Sequence, residues 1–239
     1  MSEITNSDIE WLLNLHKYPD SAVRRKKLNL KRLILYLFLS LSAAAFLVIL
    51  PFFLLIRVSL TLVTEFDFPA WIALTAGMGS AIFLLLGYIL IVFRKFLTRA
   101  HFIRFSFYSV TVMVLSFCMF SLFYLSGEHA KTLEIRNVYG TMHPVLRVAI
   151  STVTLADSDL LITDIERNPG DYLQMGLPLN SNSFHFKQPD GYVHAVDLRT
   201  IGHGFIRNAI LKFSLQIMGF KTIRHTGTAD HLHVELPPG

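Results

Sequence analysis

Long runs of uncharged and largely apolar residues dominate the first half of this 239-residue chain. Leu33–Ile56, Ala70–Phe93 and Phe105–Ser126 contain 24, 24 and 22 residues, and none of them carries a charged side chain. A helix needs about 20 apolar residues to cross the hydrocarbon core of a bilayer. The pattern therefore predicts three transmembrane helices. A cleaved signal peptide is rejected as the interpretation of the first run, because its polar leader and its apolar segment are both too long.

The charges that flank these runs predict an orientation. Basic residues cluster before the first run and between the second and third, whereas the connection between the first two has only Arg57, against Glu65 and Asp67. Basic flanks stay on the cytoplasmic side of a membrane. We therefore expect a cytoplasmic segment over 1–32, a three-helix transmembrane region over 33–126, and a domain over 127–239. In a cell (inner) membrane, that domain would face the periplasm or the outside of the cell.

The formal net charge of +5 is a property of the membrane half. Residues 1–126 contain 12 basic and 6 acidic side chains, whereas residues 127–239 contain 10 and 11. The basic excess is thus a topology signal and does not indicate nucleic-acid binding. The only cysteine, Cys118, lies in the third apolar run, so the chain has neither an intrachain disulfide nor a cysteine-rich zinc motif.

Residues 127–239 have short segments of mixed periodicity, which predict a small α+β domain with an antiparallel sheet. We expect helices at Pro144–Thr154, where a strand is the alternative, and at Phe205–Met218, where Gly219 would form the C-terminal cap. Expected strands are Leu160–Glu166, Tyr192–Leu198, Phe220–Arg224 and Leu232–Leu236, with the last two paired across a turn at 226–228. A turn at 168–171 and a long loop over 170–190, with one short element at most, complete the prediction.

Histidines are concentrated in this second half, which contains eight of the ten. His231 and His233 are two residues apart in an expected strand, so their side chains lie on the same face of the sheet. Imidazoles that converge with a carboxylate suit a zinc ion with an open coordination position. A His-x-His pair alone seldom binds metal, and the remaining histidines at 129, 143, 203 and 225 are interpreted as ordinary structural residues.

The neighbouring residues make the pattern more specific. They occur in the order Arg167, Ser183-x-His185, Gly191-x-x-x-Ala195-x-Asp197-Leu198-Arg199-Thr200 and Asp230-x-x-His233. This order resembles the zinc D-alanyl-D-alanine carboxypeptidases and the L-alanyl-D-glutamate endolysin peptidases, which share a fold with the hedgehog signalling domain. The resemblance covers roughly residues 160–237 and leaves the membrane half outside it.

The resemblance implies a zinc-peptidase-like domain that hydrolyses L,D- or D,D-peptide bonds in peptidoglycan stem peptides. It implies His185, Asp197 and His233 as zinc ligands, and Asp230 as the general base. Arg167 would stabilise the oxyanion, and His231 would contact the substrate or support the metal ligands. These roles also agree with the chemistry of peptide hydrolysis, which needs an acidified water, a carboxylate to accept its proton, and a cation near the carbonyl.

One departure leaves alternatives open. His185 and Asp197 are separated by eleven residues, where the family usually has six, and the extra residues around 187–191 form a turn-rich insertion. His194 is the alternative ligand, although positions 194 and 197 of a strand lie on opposite faces. A catalytically degenerate domain that binds peptidoglycan is the alternative function, and a membrane-interaction protein with a merely structural C-terminal domain is a further one.

Overall fold

The computed structural model describes residues 5–15, 30–96, 100–174, 176, 178, 180–227 and 230–237. Its helices are α1 (Asn6–Leu15), α2 (Leu30–Thr64), α3 (Ala70–Val92), α4 (Ala100–Phe123), α5 (Leu133–Asn137), α6 (Pro144–Ala156), α7 (Pro169–Gln174) and α8 (Phe205–Met218). Its strands are β1 (Ile162–Asp164), β2 (Ala195–Arg199), β3 (Lys221–His225) and β4 (His231–Glu235). The chain divides into two compact units, residues 1–47 and 48–239, and the boundary falls within α2.

Helices α2, α3 and α4 are each long and apolar enough to cross a membrane. The three expected spans are thus present as helices, but α2 continues eight residues past Ile56, and α4 begins five residues before Phe105. Helix hydrogen bonding does not depend on apolar side chains, so the ends of an apolar run and the ends of a helix need not coincide. Close packing joins α2 and α3 at Gly77, where a Cβ atom would collide with Ser59 and with the Leu55 carbonyl.

Helix α6 confirms the helical interpretation of 144–154 and is the most buried helix of the chain's described part. Nine of its 13 residues are buried, and it contacts α3, α4 and α8. Pro144 occupies the first turn, where its missing N–H costs nothing, and His143 caps the helix by accepting a hydrogen bond from the Val145 N–H. One continuous apolar core runs from the inner faces of α2–α4 through α6 to the sheet.

The sheet is antiparallel, as expected, with strand order β1-β2-β4-β3. Strands β3 and β4 lie within one residue of their predicted positions. β1 and β2 are both shorter than predicted; for β2 the reason is that residues around Val193 pair with the loop at 141–143 instead of extending the strand. The expected turn at 168–171 is the start of α7, where the Asp171 carboxylate accepts a hydrogen bond from the Asn168 N–H, as in a capping box.

Helix α8 has the predicted bounds, and Gly219 ends it in the left-handed conformation (φ 108°). Its apolar stripe, however, faces outward. Phe205, Ile206, Ile210, Phe213 and Ile217 are exposed, whereas Asn208, Leu211, Leu215 and Met218 form the buried face. Both faces of α8 are therefore largely apolar, which an ordinary helix of a water-soluble domain avoids.

Candidate metal centre

Strand pairing brings Asp197 and His233 together. β2 and β4 are neighbours, and these two residues lie directly opposite each other in the register. Because side chains alternate along a strand, His231, His233 and Glu235 share the Asp197 face, while the residues between them point into the apolar core. The face predicted from the His-x-His pattern is therefore the polar face of the sheet.

His185 reaches this face from the loop before β2. Its ring Nδ1 lies 2.6 Å from the Ile165 carbonyl oxygen, which can only accept a hydrogen bond, so Nδ1 carries the proton. The other ring nitrogen, Nε2, then has its lone pair directed at the sheet, 3.3 Å from Asp197 Oδ1 and 3.3 Å from His233 Nδ1. A carbonyl that fixes the histidine tautomer in this way is typical of histidines that bind metals.

The His233 ring is held between two carboxylates. Its Nδ1 lies 2.8 Å from Asp197 Oδ1, and its Nε2 lies 3.0 Å from Glu235 Oε2. Lys221 Nζ in turn lies 2.5 Å from the other Glu235 oxygen. Burial lowers the pKa of His233, but the hydrogen bonds to Asp197 and Glu235 outweigh it and raise that pKa above its usual value. Burial raises the pKa of Asp197, but its contacts with the His185 and His233 imidazoles hold that pKa well below its usual range.

These three residues can hold a metal ion. His185 Nε2, Asp197 Oδ1 and His233 Nδ1 form a triangle with sides of 3.3, 3.3 and 2.8 Å. Ligands about 2.0–2.1 Å from a tetrahedral metal lie roughly 3.3 Å from one another. Two sides have that length, and the third is a hydrogen bond that a metal would replace. Two imidazoles and one carboxylate form a ligand set known from catalytic zinc sites.

Arg167 lies at the same face because β1 is irregular. The register between β1 and β2 shifts between Ile162 and Asp164, so Asp164 lies opposite Asp197. Arg167 Nε lies 2.5 Å from Asp164 Oδ2, and its Nη2 lies 2.7 Å from Asp197 Oδ2. The Tyr172 ring of α7 also packs beneath the guanidinium, at 5.7 Å. Arg167 therefore binds the second oxygen of Asp197 and leaves Oδ1 for the histidines.

The other two predicted catalytic residues have different surroundings. His231 faces the site, with Nε2 3.7 Å from Asp197 Oδ2, and its ring stacks on His225 at 4.9 Å. Asp230 accepts hydrogen bonds from Arg224 Nη2 (2.7 Å) and Thr200 Oγ1 (2.6 Å). These bonds lower the pKa of Asp230 to about 2. Both Asp230 oxygens are thus engaged at the entrance of β4.

A cavity of about 360 Å³ opens on this face of the sheet, and its lining includes His185, Asp197 and His233 together with Arg167 and His231. Asp230 is not among its lining residues. Several lining residues were not predicted from the sequence: Tyr172, Asn180, Asn182, Lys221, His225 and Glu235. Strand periodicity was the available signal for Glu235, which follows His233 by two residues in β4 and therefore lies on the same face.

His194, the alternative ligand, belongs to a second group with His143 and Asp190. Its Nε2 lies 2.8 Å from Asp190 Oδ2, and its ring is 5.1 Å from that of His143. This group is close enough to hold a metal, but its chemistry fits less well. His143 Nδ1 accepts the Val145 N–H, so a neutral His143 carries its proton on Nε2, the atom directed at Asp190. We therefore interpret the second group as a hydrogen-bonded cluster.

His143 makes folding stability depend on pH. Burial lowers its pKa to about 3, assisted by repulsion from His194 and Arg147 and opposed by Asp190. In the unfolded chain a histidine has a pKa of about 6.5. Between these values only the unfolded state binds the proton, so stability is lost as pH falls, by about 1.4 kcal/mol per pH unit. We expect melting temperatures measured between pH 7 and pH 4 to show this loss.

The His143→Asn variant isolates this contribution. Asparagine retains a cap for α6 but does not titrate, so its melting temperature should fall less steeply with pH than that of the wild type. Parallel pH profiles for the two proteins would show that His143 is not the group responsible.

No family model, curated protein or solved structure matches this chain. The functional interpretation therefore depends on the residues and geometry of the chain itself.

Proposed function

We propose that this protein is a membrane-anchored zinc metallopeptidase that hydrolyses peptidoglycan stem peptides. The observation that carries the proposal is the triangle formed by His185 Nε2, Asp197 Oδ1 and His233 Nδ1, two of whose sides match the ligand separation of a tetrahedral zinc. The cavity beside it also contains a cation, Arg167. The substrate class comes from the motif resemblance, and the L,D- or D,D-bonds of stem peptides follow from it.

Each residue has a separate task in this proposal. A bound zinc supplies Lewis acidity, which polarises a carbonyl and lowers the pKa of water. Arg167 stabilises the negative charge that develops on the scissile carbonyl oxygen. Glu235 accepts a hydrogen bond from the His233 Nε2–H, so the proton stays on Nε2 and Nδ1 remains available as a ligand. Arg167 also fixes the Asp197 carboxylate through its second oxygen.

Proton transfer is assigned to Asp230, with His231 as the substrate-contacting residue. As general base, Asp230 would accept the proton of the attacking water and deliver it to the amine that leaves. This assignment comes from the resemblance and requires Asp230 to exchange its contact with Arg224 for one with water. His231 already faces the cavity, which makes it the second candidate for the base.

A domain that binds stem peptides without cutting them is the second candidate function. The observation that favours it is the engagement of both Asp230 oxygens by Arg224 and Thr200. Such a domain would still hold zinc and bind peptides.

Turnover distinguishes these two functions. We expect the full-length protein, purified in detergent with zinc, to cleave muropeptides and to release one new amine for each bond cut. A zinc chelator should abolish this activity, and added zinc should restore it, whereas the His194→Gln variant should behave like the wild type. Zinc-loaded protein that binds muropeptides but leaves them intact would establish the binding function instead.

The proposed location places the domain where peptidoglycan lies, with the N-terminus in the cytoplasm. A reporter enzyme that is active only outside the cytoplasm should be active when it is fused after residue 239. The same reporter should be silent when fused within the connection at 94–104, which carries the basic residues. The reversed pattern would contradict the proposed substrate, because the domain would lie in the cytoplasm.

A further inference from the structure

Arg147 is a buried cation that has no carboxylate partner among the residues that the structure describes. It lies in the middle of α6, its side chain is 4 % exposed, and the ion pairs of the described residues do not include it. Its Nη1 donates a hydrogen bond to the Leu122 carbonyl (2.7 Å), but its Nε has no partner. Burial lowers its pKa below that of an ordinary guanidinium. A buried charge of this kind is costly unless it is compensated.

The contact with Leu122 accounts for part of this arrangement. Leu122 is in the last turn of α4, where carbonyl groups are unpaired and carry a partial negative charge. One guanidinium N–H thus caps the membrane helix. The helix end supplies only about half a unit of negative charge, so about half of the guanidinium charge is left uncompensated.

A second arginine shares a cavity with Arg147. The cavity has a volume of about 510 Å³ and is lined by Arg136, Arg147, Trp71 and Tyr192, among others. Arg136 packs over the Tyr124 ring at 5.8 Å and is likewise absent from the ion pairs of the described chain. Among the described residues, no aspartate or glutamate lines this cavity. Two guanidinium groups without a carboxylate are the arrangement that proteins use to bind a phosphate group.

The position of the cavity indicates where its ligand comes from. Its walls include the last turn of α4 and the first turn of α3, so it lies at the ends of two helices that are able to cross a membrane. Trp71 donates a hydrogen bond to the Tyr192 hydroxyl (3.2 Å) beside it. Tryptophan and tyrosine are enriched at the level of lipid headgroups.

We propose that the cavity lined by Arg136 and Arg147 binds a phosphate group, supplied by the headgroup of a membrane phospholipid. Inorganic phosphate is the other source of the same chemistry. Arg147 provides a fixed cation at the base of the cavity, and Arg136 provides a second one at its exposed edge. The proposal is independent of peptidase activity, because the cavity and the candidate metal centre have no lining residue in common.

Lipid binding by the purified full-length protein tests this proposal. The protein would be incubated separately with phosphatidylglycerol, with a neutral phosphate-free glycolipid and with inorganic phosphate. Native mass spectrometry would then count how many molecules of each ligand stay bound to the protein. We expect phosphatidylglycerol to be retained in preference to the glycolipid. The Arg136→Gln variant should bind it about tenfold more weakly, because it loses a charge-assisted hydrogen bond to the phosphate. Lys131→Gln, an exposed cation outside the cavity, is the matched control.

Arg147→Met removes the buried cation, and its melting temperature shows whether the variant folds. If it does, phosphatidylglycerol binding should fall by at least as much as in Arg136→Gln. Equal retention of the glycolipid, or unchanged binding in Arg136→Gln, would overturn the proposal even if Arg147→Met fails to fold. If inorganic phosphate at low concentration displaces the lipid completely, the ligand of the site is the free anion. That result would overturn the proposal that a phospholipid headgroup supplies the phosphate.

The outward stripe of α8 carries a second, independent inference. Its five large apolar side chains, at 205, 206, 210, 213 and 217, are between 44 % and 79 % exposed. Ile206 and Ile210 line a groove of about 830 Å³ together with Val48, Ile49 and Phe52 of α2. The stripe is therefore continuous with the surface of a helix that is able to cross a membrane.

We infer that this stripe inserts into the hydrocarbon of the bilayer that α2 crosses. Arg207 and Lys212 interrupt the apolar positions of α8, as basic residues do in helices that lie in a membrane interface. Because α8 also packs against β3, this contact would fix the sheet at the membrane surface.

Site-directed spin labelling of the full chain in lipid vesicles tests this inference. In a Cys118→Ala background, a nitroxide at Phe213→Cys or Ile210→Cys should collide more often with oxygen than with a water-soluble nickel complex. A label at Leu173→Cys, which is also an exposed apolar position but lies on α7, should show the opposite preference. Nickel preference at both α8 positions would overturn the inference. Spin–spin coupling that disappears when unlabelled protein is added would overturn it too, because a second copy of the chain would then cover the stripe.

Discussion

The His185→Ala variant should lose both its zinc and its peptidase activity. The wild type is expected to carry about one zinc per chain, held by three protein ligands, which is the usual number for a catalytic site. His185 is 1 % exposed, and its Nε2 completes the triangle with Asp197 and His233. Its removal leaves two ligands, so metal content should fall close to zero and muropeptide cleavage should fall below detection. Elemental analysis of the purified protein measures the first effect directly.

Two variants make this result specific. His194→Ala removes a histidine that belongs to the other cluster, so it should keep the zinc and the activity. Glu235→Gln leaves the three ligands in place but weakens the hydrogen bond that orients His233, which typically reduces metal affinity by about 10–100-fold. Loss of zinc in His194→Ala with retention in His185→Ala would contradict the ligand assignment.

Strand periodicity made much of this site predictable. The two-residue spacing of His231 and His233 requires both side chains to lie on one face, and the polar face of β4 is where they lie. The same rule argues against His194 as a partner of Asp197, and His194 lies with His143 and Asp190 instead. A local rule succeeds here because the geometry within one strand does not depend on the rest of the fold.

Other parts of the site depend on contacts that no local pattern contains. His185 precedes Asp197 by twelve positions, and a loop that bonds to Ile165 carries it to the sheet. Lys221 and His225 reach the cavity because β3 pairs with β4 in one particular register. The irregularity that places Asp164 opposite Asp197 likewise arises from the pairing of β1 with β2. Such features follow from tertiary structure, which a single sequence does not reveal.

The stripe of α8 shows a different limit. Its spacing predicted the helix correctly, because a period of 3.6 residues identifies the conformation. The spacing does not identify what the stripe contacts, and the structure buries the opposite face of α8. In a chain with membrane-spanning helices, an apolar stripe has two possible partners, the protein core and lipid. The spacing of the apolar residues is the same whether the stripe contacts the protein core or lipid.

Replacing Asp230 with asparagine should separate metal binding from catalysis. Asp230 is not one of the three proposed zinc ligands, so the Asp230→Asn variant should retain zinc near the wild-type content. A positioned general base typically contributes about 10²–10⁴-fold to the rate. Muropeptide cleavage should therefore fall by about that factor, while peptide binding is maintained. Initial rates at saturating and limiting substrate would separate the two effects.

The Asp230→Asn result has to be compared with a variant that loses only the structural contacts of Asp230. Asp230 bonds to Arg224 and Thr200, and the loss of that pairing alone would lower the melting temperature without stopping catalysis. The Arg224→Gln variant removes the same pairing but keeps the carboxylate, so it should be destabilised to a similar extent and remain active. If Asp230→Asn is as active as Arg224→Gln, while His231→Gln shows the loss of rate with zinc retained, the base is His231. In that case Asp230 serves only to hold the start of β4 beside the metal centre.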